Sequence, residues 1–491
     1  MKPTAKIFTL LVLVYSSGWA AKAGWKPGDW VSWSNFRYVT SVAQDFKYLY
    51  FGTTGGILRF DKFSRKADFP LTESDGLPDG WVNGMYYDAP ADELVVETQG
   101  GVTRYDITSE DWYTGGKFSP PAQPEFLRPE EYGNYFLDFG YSFGPDFQFI
   151  QDLNLRRFPV NFAYQETPHD IWLGTWGLGV AWGNVVAGQI KLFNYGLADK
   201  DVRAIHIDGE VMYVGGVGYG SPSYGITVYD REDDSWHYWE QIKTINLPST
   251  DLNVITGDSL YIWLGTRYGL VRYNRKKDIF DSFTRARGLW DNQITALKSD
   301  GKRLWVGTSR GLNVFEPGAD SLIKVELPDY LDYYVRAVEV DSNTVWIGGD
   351  RGVLKLDLKE KTSQRFIDPN GMVNTRINHI LKYRDRIWFA SPLGIMEYDP
   401  KNDSYTHYSQ GVQVPGGEPL QLAVDSRAVW AATTNGAVRL DRQTNQWYLY
   451  NSFDGLLDNY VQTLVLEGDY IWFGTAEGLT RFHWYVPGRV E

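Results

Sequence analysis

A short motif of the form apolar–Trp–apolar–Gly–Thr recurs along the chain and restricts its fold more than any other feature. The clearest copies are residues 262–266 and 471–475, each followed two residues later by Gly-Leu. From Trp263 onward the aromatic position returns at steps of 42, 41, 42, 42 and 42 residues. One four-stranded propeller blade takes about 40 to 45 residues, so this period predicts a β-propeller. The position is occupied by Tyr50, Trp172, Tyr213, Trp263, Trp305, Trp346, Trp388, Trp430, Trp472 and, as a degenerate copy, Val95.

These copies predict an all-β propeller of about ten four-stranded blades. The last copy stops at residues 481–484 without an outer strand, whereas residues 29–33 resemble the outer strand at 445–449. We therefore expect the N-terminal strand to complete the last blade, which hides the sheet edges. A single closed ring is favoured, and two smaller rings are the alternative because rings of about 4 to 8 blades are typical. The repeated Trp is interpreted as a residue that packs one blade against the next.

Composition excludes several classes of function. Aromatic residues make up 16% of the 491 residues, which favours β-strands. The sequence contains no Cys, so disulfides, thiolate metal sites and a cysteine nucleophile are excluded. A net charge of −13 argues against nucleic acid as a partner, because phosphate backbones are bound by basic surfaces.

The first 23 residues have the pattern of a secretory signal peptide. Lys2 and Lys6 precede an apolar stretch at 7–14, and the small-x-small sequence at 21–23 suits cleavage. This stretch is shorter than the roughly 20 residues that span a bilayer, and an uncleaved anchor is the alternative. We expect a mature chain of residues 24–491 without a membrane span, located in the periplasm or outside a bacterial cell.

The segment at 262–273, Ile-Trp-Leu-Gly-Thr-Arg-Tyr-Gly-Leu-Val-Arg-Tyr, resembles the two-component regulator propeller repeats. The resemblance extends over most of the chain after residue 23. In that family the repeats form the extracytoplasmic sensor region of hybrid sensor kinases, recognise carbohydrate fragments and dimerise. The resemblance therefore implies a sensor-like propeller. Only seven residues follow Trp484, so we expect no immunoglobulin-like module, membrane span or kinase, and any signal would pass through a partner.

One position in the predicted first strand of every blade is polar, between mostly apolar neighbours. First strands line the central channel of a propeller, so these side chains would encircle it. They either bond backbone groups and water between blades or form a ligand-binding channel. Arg203 and Arg336 are the better candidates for a carboxylate or sugar acid, with Asn83, Asn253 and Asn378 as further contacts. The ten residues are Thr40, Asn83, Asn161, Arg203, Asn253, Thr295, Arg336, Asn378, Gln421 and Gln462.

Two further segments are candidate ligand-binding elements. The loop at 288–292 places Trp290 beside Asp291, and an exposed Trp with neighbouring acceptors suits a sugar ring. A simple turn, in which Gly and Asp satisfy the backbone, is the alternative. The insertion at about 114–158 contains eleven aromatic residues, Tyr135 among them. It is either a functional loop or a cap packed on the propeller face.

Signals for catalysis are weak. The six His are scattered without metal-ligand spacing and no carboxylate pair stands out, so the sequence predicts no metal, cofactor or catalytic residue. His379 is interpreted as a core neighbour. The favoured function is an exported, non-catalytic propeller that recognises a carbohydrate or another extracytoplasmic ligand. A scaffold for protein–protein assembly is the first alternative, and a polysaccharide lyase or hydrolase is the second.

Overall fold

The structure, a computed structural model, describes residue 26 and residues 28–121, 125–218, 224–316, 320–328 and 334–487. The predicted signal peptide at 1–23 lies outside these residues. The described chain forms ten β-sheets, nine with four strands and one with seven. They confirm the all-β propeller, and we number them as blades 1–10 in chain order. Within the same residues, no helix has the length and apolar character that crossing a membrane requires.

After one strand that belongs to blade 10, the chain forms blades 1–3. Blade 3 has three additional strands from the insertion, which also holds the helix α1 (Pro129–Tyr132). The strands are β1 (Trp30–Trp33) in blade 10; β2 (Val39–Gln44), β3 (Tyr48–Thr53), β4 (Gly56–Asp61) and β5 (Lys66–Ala67) in blade 1; β6 (Val82–Asp88), β7 (Glu93–Thr98), β8 (Gly101–Asp106) and β9 (Trp112–Thr114) in blade 2; and β10 (Phe136–Leu137), β11 (Tyr141–Phe143), β12 (Phe149–Asp152), β13 (Arg157–Thr167), β14 (Asp170–Thr175), β15 (Val180–Asn184) and β16 (Gln189–Phe193) in blade 3.

Blades 4–10 follow, each with its inner strand first. Two 3₁₀ turns, Glu73–Asp75 and Arg285–Arg287, precede the inner strands of blades 2 and 6. The strands are β17 (Ala204–Asp208), β18 (Val211–Gly215), β19 (Ile226–Asp230) and β20 (Ser235–Trp239) in blade 4; β21 (Leu252–Gly257), β22 (Tyr261–Thr266), β23 (Gly269–Asn274) and β24 (Ile279–Phe283) in blade 5; β25 (Ile294–Ser299), β26 (Leu304–Thr308), β27 (Gly311–Glu316) and β28 (Ser321–Val325) in blade 6; β29 (Ala337–Asp341), β30 (Thr344–Gly349), β31 (Gly352–Asp357) and β32 (Thr362–Phe366) in blade 7; β33 (His379–Tyr383), β34 (Arg386–Ser391), β35 (Gly394–Asp399) and β36 (Ser404–Ser409) in blade 8; β37 (Pro419–Val424), β38 (Ala428–Thr433), β39 (Gly436–Asp441) and β40 (Gln446–Tyr450) in blade 9; and β41 (Val461–Glu467), β42 (Tyr470–Thr475) and β43 (Leu479–His483) in blade 10.

The repeated motif explains how one blade packs on the next. Trp263 on β22 is 1% exposed, and its ring centroid lies 4.9 Å from that of Phe315 in blade 6. The motif glycine leaves room for the neighbouring inner strand, because a Cβ on Gly265 would lie 2.7 Å from Ile294. All seven Trp copies of the motif are at most 2% exposed, which confirms that they are packing residues.

Blades 4–10 close into a ring of seven. Inner strands of successive blades pack side by side, and β41 of blade 10 packs against β17 of blade 4. At this junction the Val202 N–H donates to the Thr475 carbonyl at 2.8 Å, and a Cβ on Gly474 would lie 2.5 Å from Val202. β1 pairs antiparallel with β43, Trp30 opposite Phe482, and so supplies the outer strand of blade 10. The predicted closure by the N-terminal strand is confirmed.

Blades 1–3 form an arc beside the ring, in the spatial order 3, 1, 2. Asn161 of blade 3 donates to the Val39 carbonyl of blade 1 at 2.6 Å, and Thr40 of blade 1 donates to the Val82 carbonyl of blade 2 at 2.7 Å. The single ring of all ten blades, which the repeat count favoured, is therefore not formed. The chain contributes β1 to the ring, leaves it to form blades 1–3, and returns to it at β17, so seven of the ten blades make up the ring.

The insertion covers the free face of blade 3. Tyr132 of α1 is 3% exposed and shares a buried cluster with Ile171 and Leu173 of β14. Trp172, between them on the opposite face of the strand, packs against blade 1. The insertion therefore packs as a cap, because it buries an apolar face of blade 3 that no further blade covers.

The free face of blade 2 carries polar side chains. Val95 stands at the motif position in place of Trp, and Arg104 lies opposite it on the next strand. The Arg104 guanidinium donates to Glu93 at 2.7 Å, and the Tyr113 hydroxyl donates to the same carboxylate. Terminal repeats of stacked arrays require a polar outer face, so the degenerate copy marks one end of the arc.

Candidate functional site

A cavity of about 360 Å³ lies at the centre of the seven-blade ring, and each of the seven blades contributes to its lining. Four predicted site residues meet there: Arg203, Asn253, Arg336 and Asn378. Each occupies the polar position at the start of an inner strand. The ring therefore brings together residues that are up to 175 positions apart in the sequence.

Amide side chains at the polar position join neighbouring blades. Asn253 Nδ2 donates to the Ile294 carbonyl of blade 6 at 2.9 Å, and Asn378 Nδ2 donates to the Pro419 carbonyl of blade 9 at 2.8 Å. These bonds satisfy backbone groups that would otherwise face the gap between blades. The structural interpretation of the polar position therefore accounts for Asn253 and Asn378.

The two arginines at that position bond carboxylates. Arg203 Nε donates to Asp201 Oδ2 at 2.9 Å, and the Asp201 side chain is 1% exposed. Arg336 Nε donates to Asp350 on the hairpin of blade 7, and the guanidinium lies 4.7 Å from the ring centroid of Tyr334. Both arginine side chains are about one-third exposed, so part of each guanidinium faces the cavity.

Arg267 adds a third guanidinium to the lining. It lies exposed on the hairpin between β22 and β23 and forms no ion pair within the described parts of the chain. Among the described residues, three guanidinium groups are therefore set against the carboxylates of Asp201 and Asp350. The cavity carries a local excess of positive charge on a chain whose net charge is −13. This arrangement can hold an anion.

Trp290 and Asp291 lie outside the channel. Trp290 lines a separate cleft of about 900 Å³ beside β28. It is partly buried: a Cβ on Gly311 would touch its ring at 2.8 Å, and Lys324 Nζ lies 4.3 Å from its ring centroid. Asp291 forms an ion pair with Arg310 at 3.5 Å. The exposed sugar platform expected at Trp290 is therefore not found, because a lysine covers the indole face.

Asn83 and Tyr135 also lie away from the channel. Asn83 is exposed on the inner strand β6 of the arc. Tyr135 is partly buried where the insertion packs on blade 3. The structure thus brings four of the eight predicted residues together and leaves the others in three separate places.

His379 is a core neighbour, as interpreted from the sequence. Its Nδ1 accepts a hydrogen bond from the Leu422 N–H at 3.3 Å, which requires a neutral ring. Burial, with a contribution from the Lys298 ammonium, lowers the pKa of His379 to about 4. In the part of the chain that the structure describes, no three His, Asp or Glu side chains are grouped as metal ligands.

Sequence reasoning missed five lining residues: Arg267, Gln293, Tyr334, Leu420 and Tyr460. Arg267 directly follows the Thr of the motif, and the two tyrosines precede inner strands. Hairpins after the motif open onto the same face of the ring as loops that enter the inner strands. An arginine at the hairpin position was therefore the signal that could have identified Arg267.

No protein-family model matches the sequence. It is 23% identical to histidine kinase P4 of Formosa agariphila over an alignment that covers 49% of this chain. The match covers 22% of that protein, so the chain corresponds to about a fifth of the length of this curated relative.

Solved structures show the same architecture. The extracellular domain of BT4673, assigned to a hybrid two-component system of B. thetaiotaomicron, has a TM-score of 0.50 and 15% identity, over 92% of this chain and 71% of that one. The corresponding domain of BT3049 has a TM-score of 0.50 and 18% identity, over 89% and 60%. PorZ, a surface component of the type-IX secretion system of Porphyromonas gingivalis, has a TM-score of 0.51 and 17% identity, over 91% and 68%. At these identities the comparisons show the fold. The chain has the propeller architecture of extracellular domains of two-component systems, and the resemblance of its repeats to the two-component regulator propeller family holds in three dimensions.

Proposed function

We propose that this protein is an exported, non-catalytic β-propeller that binds an anionic ligand, a sugar acid, in the channel of its seven-blade ring. The observation that carries the proposal is the presence of Arg203, Arg267 and Arg336 around one cavity. Small-molecule sites are usually preformed cavities of about 300–1,000 Å³. The channel cavity, at about 360 Å³, is at the lower end of that range and suits one or two units of an oligosaccharide.

The chemistry of the three arginines favours a carboxylate. Guanidinium groups bind carboxylates through charge-assisted hydrogen bonds, which are about twice as strong as neutral ones. Asp201 and Asp350 hold two of the guanidinium groups in place before a ligand arrives. This preorganisation reduces the entropy lost on binding. Arg267 has no such partner among the described residues and is free to complete the site.

The extracellular domains among the structural neighbours support a sensing role for this chain, and the predicted signal peptide supports export. A sensing propeller needs a second element that reads the bound state. In this proposal a partner protein detects whether the channel holds a ligand.

The test is calorimetric titration of the purified chain with trigalacturonate and with the uncharged galactotriose. We expect the acid to bind and the neutral sugar not to. Arg267→Ala should weaken binding at least about tenfold, since a hydrogen bond to a charged group contributes about 1.5–3 kcal/mol. Arg310→Ala is the matched control, because it removes the same charge from the neighbouring hairpin of blade 6 without touching the channel.

Two results would contradict the proposal. One is the absence of saturable binding by trigalacturonate and by other uronate oligomers. The other is an equal loss of affinity in Arg267→Ala and Arg310→Ala. Such a result would attribute the loss to the overall electrostatic field of the protein or to the cleft that Trp290 lines.

An assembly scaffold is the second candidate, and the insertion supports it. Four of its apolar side chains are 73–99% exposed: Phe136, Phe139, Leu153 and Leu155. Large exposed apolar patches mark protein interaction sites. PorZ, at 17% identity, is described as a component of a secretion system. A photocrosslinker at position 139, used in cells that make the protein, should then capture one defined partner, and Phe139→Asp should abolish its co-purification.

A further inference from the structure

Two tryptophans of the arc are exposed, whereas the other Trp side chains in the described residues are buried or partly buried. Trp81 is 40% exposed and Trp176 is 37% exposed, more than any other Trp in the described ranges. Trp81 lies on the loop that enters β6, and Trp176 lies on the hairpin after β14. Their ring centroids are 6.4 Å apart at 53°, so Trp176 supports one side of the Trp81 indole. Trp176 also packs edge-on against Tyr38, beside blade 1, with 5.1 Å between ring centroids.

Trp81 lines a cleft of about 290 Å³ between the arc and the ring. The arc supplies Trp81, Glu73 and Asp79, and the ring supplies Lys200 and Glu477. The loop that carries Trp81 is fixed by its own carboxylates: the Gly80 N–H donates to Glu73 Oε1 at 2.8 Å, and the Trp81 N–H donates to Asp79 Oδ1 at 2.7 Å. The indole and the carboxylates are therefore held in one place before any ligand binds.

The charge of this cleft is opposite to that of the channel. Glu73, Asp79 and Glu477 face a single ammonium, that of Lys200, which bonds Glu477. Partial burial raises the pKa of Glu73, and the nearby carboxylates of Asp79 and Glu477 raise it further. The negative charge of the cleft is thus incompletely balanced by the residues that line it. A bound cation would relieve this repulsion.

We propose that this cleft binds an organic cation, an ammonium or guanidinium group, between the Trp81 indole and the carboxylates of Glu73 and Asp79. Trp is the aromatic side chain that attracts cations most strongly, and a cation over its face gains more where water is partly excluded. Carboxylates beside the ring add charge-assisted hydrogen bonds. The ammonium can belong to an amino sugar or to a lysine side chain, which offer the same chemistry.

The experiment titrates the purified chain with the glucosamine hexasaccharide, with trilysine, and with the fully N-acetylated hexasaccharide as the uncharged counterpart. We expect the two cations to bind and the acetylated sugar not to. Which of the cations binds more tightly identifies the source of the ammonium. Trp81→Ala should weaken binding about tenfold, and Trp81→Phe should restore part of it. Glu73→Gln should weaken binding and should also reduce its dependence on salt.

Phe46→Ala is the aromatic control, because Phe46 is 84% exposed and does not line the cleft. Glu360→Gln, at a side chain that is 65% exposed on blade 7, is the charge control. The proposal is overturned if neither cation saturates, if the acetylated sugar binds as tightly, or if the controls reduce binding as much as Trp81→Ala and Glu73→Gln. Circular dichroism of each variant excludes unfolding as the cause. Failure here leaves the channel proposal untouched, since trigalacturonate tests a different site.

Discussion

Trp30→Ala tests whether β1 closes the ring. Trp30 is 5% exposed, and its ring stacks on Phe482 with 3.9 Å between centroids and an angle of 8°. It also packs near Phe473 at 6.2 Å, and a Cβ on Gly455 would lie 2.6 Å from its indole. The side chain is thus enclosed by β42, β43 and the loop that precedes β41.

The expected loss of stability follows from this burial. A Trp side chain removes on the order of 200 Å² from water, which at about 25 cal/mol per Å² amounts to about 5 kcal/mol. The denatured chain already buries part of that area, which lowers the figure. Trp→Ala substitutions in cores cost about 3–5 kcal/mol. We expect about 4 kcal/mol for Trp30→Ala.

The assay is urea unfolding followed by circular dichroism, with Trp81→Ala as the matched control. Trp81 is 40% exposed and packs on no neighbouring blade core, so its removal should cost less than about 1 kcal/mol. Limited proteolysis should also cut the Trp30→Ala variant faster near its N-terminus, because a released β1 exposes the edge of β43. If Trp30→Ala costs no more than Trp81→Ala, β1 does not close the ring and the reasoning is refuted.

Three further outcomes are expected. Burial lowers the pKa of His379 to about 4 in the folded protein, whereas the ordinary value is about 6.5, so the unfolded chain binds a proton first as the pH falls. The free energy of unfolding should therefore decrease by up to about 3 kcal/mol between pH 6.5 and 4. His379→Asn should flatten this pH dependence when denaturation is measured across the same range. Arg203→Ala should cost about 1–2 kcal/mol, because the buried Asp201 carboxylate loses its cation, and adding Asp201→Asn should recover most of the loss in the same assay. Tyr132→Ala should cost about 3 kcal/mol in thermal unfolding, because it opens the cap on blade 3, whereas Phe139→Ala should be neutral.

The blades were predictable from the sequence because each is specified locally. The Trp and Gly of the motif serve contacts within one blade and with the next, as Trp263 and Gly265 show, and such contacts leave a periodic trace. The number of blades per ring leaves no such trace, because any blade has the same kind of neighbour in a ring of seven or of ten. Val95 was the local sign that the row of blades ends at blade 2, since a blade without a following neighbour does not need a Trp for packing.

The site was predictable only in part, for a related reason. The polar position identified Arg203 and Arg336 because it recurs in every unit. Arg267 lies in a hairpin whose sequence varies from unit to unit, so no periodicity singles it out. Trp290 failed as a platform because its exposure depends on Lys324, a residue of another strand.

The path of the chain through ring and arc has a consequence for how such proteins can change. The points of departure and return touch: Asn35 pairs with Gly196 in an antiparallel bridge, and the Leu197 N–H donates to the Ser34 carbonyl at 3.0 Å. The arc is therefore an insert whose two ends are already joined by hydrogen bonds, and lengthening it adds little to the entropy cost of closing the chain, about 0.6 kcal/mol for each doubling. Blades can be added to or removed from the arc, in evolution or in design, without separating the two chain segments, at Asn35 and at Gly196, where the chain leaves the ring and returns to it.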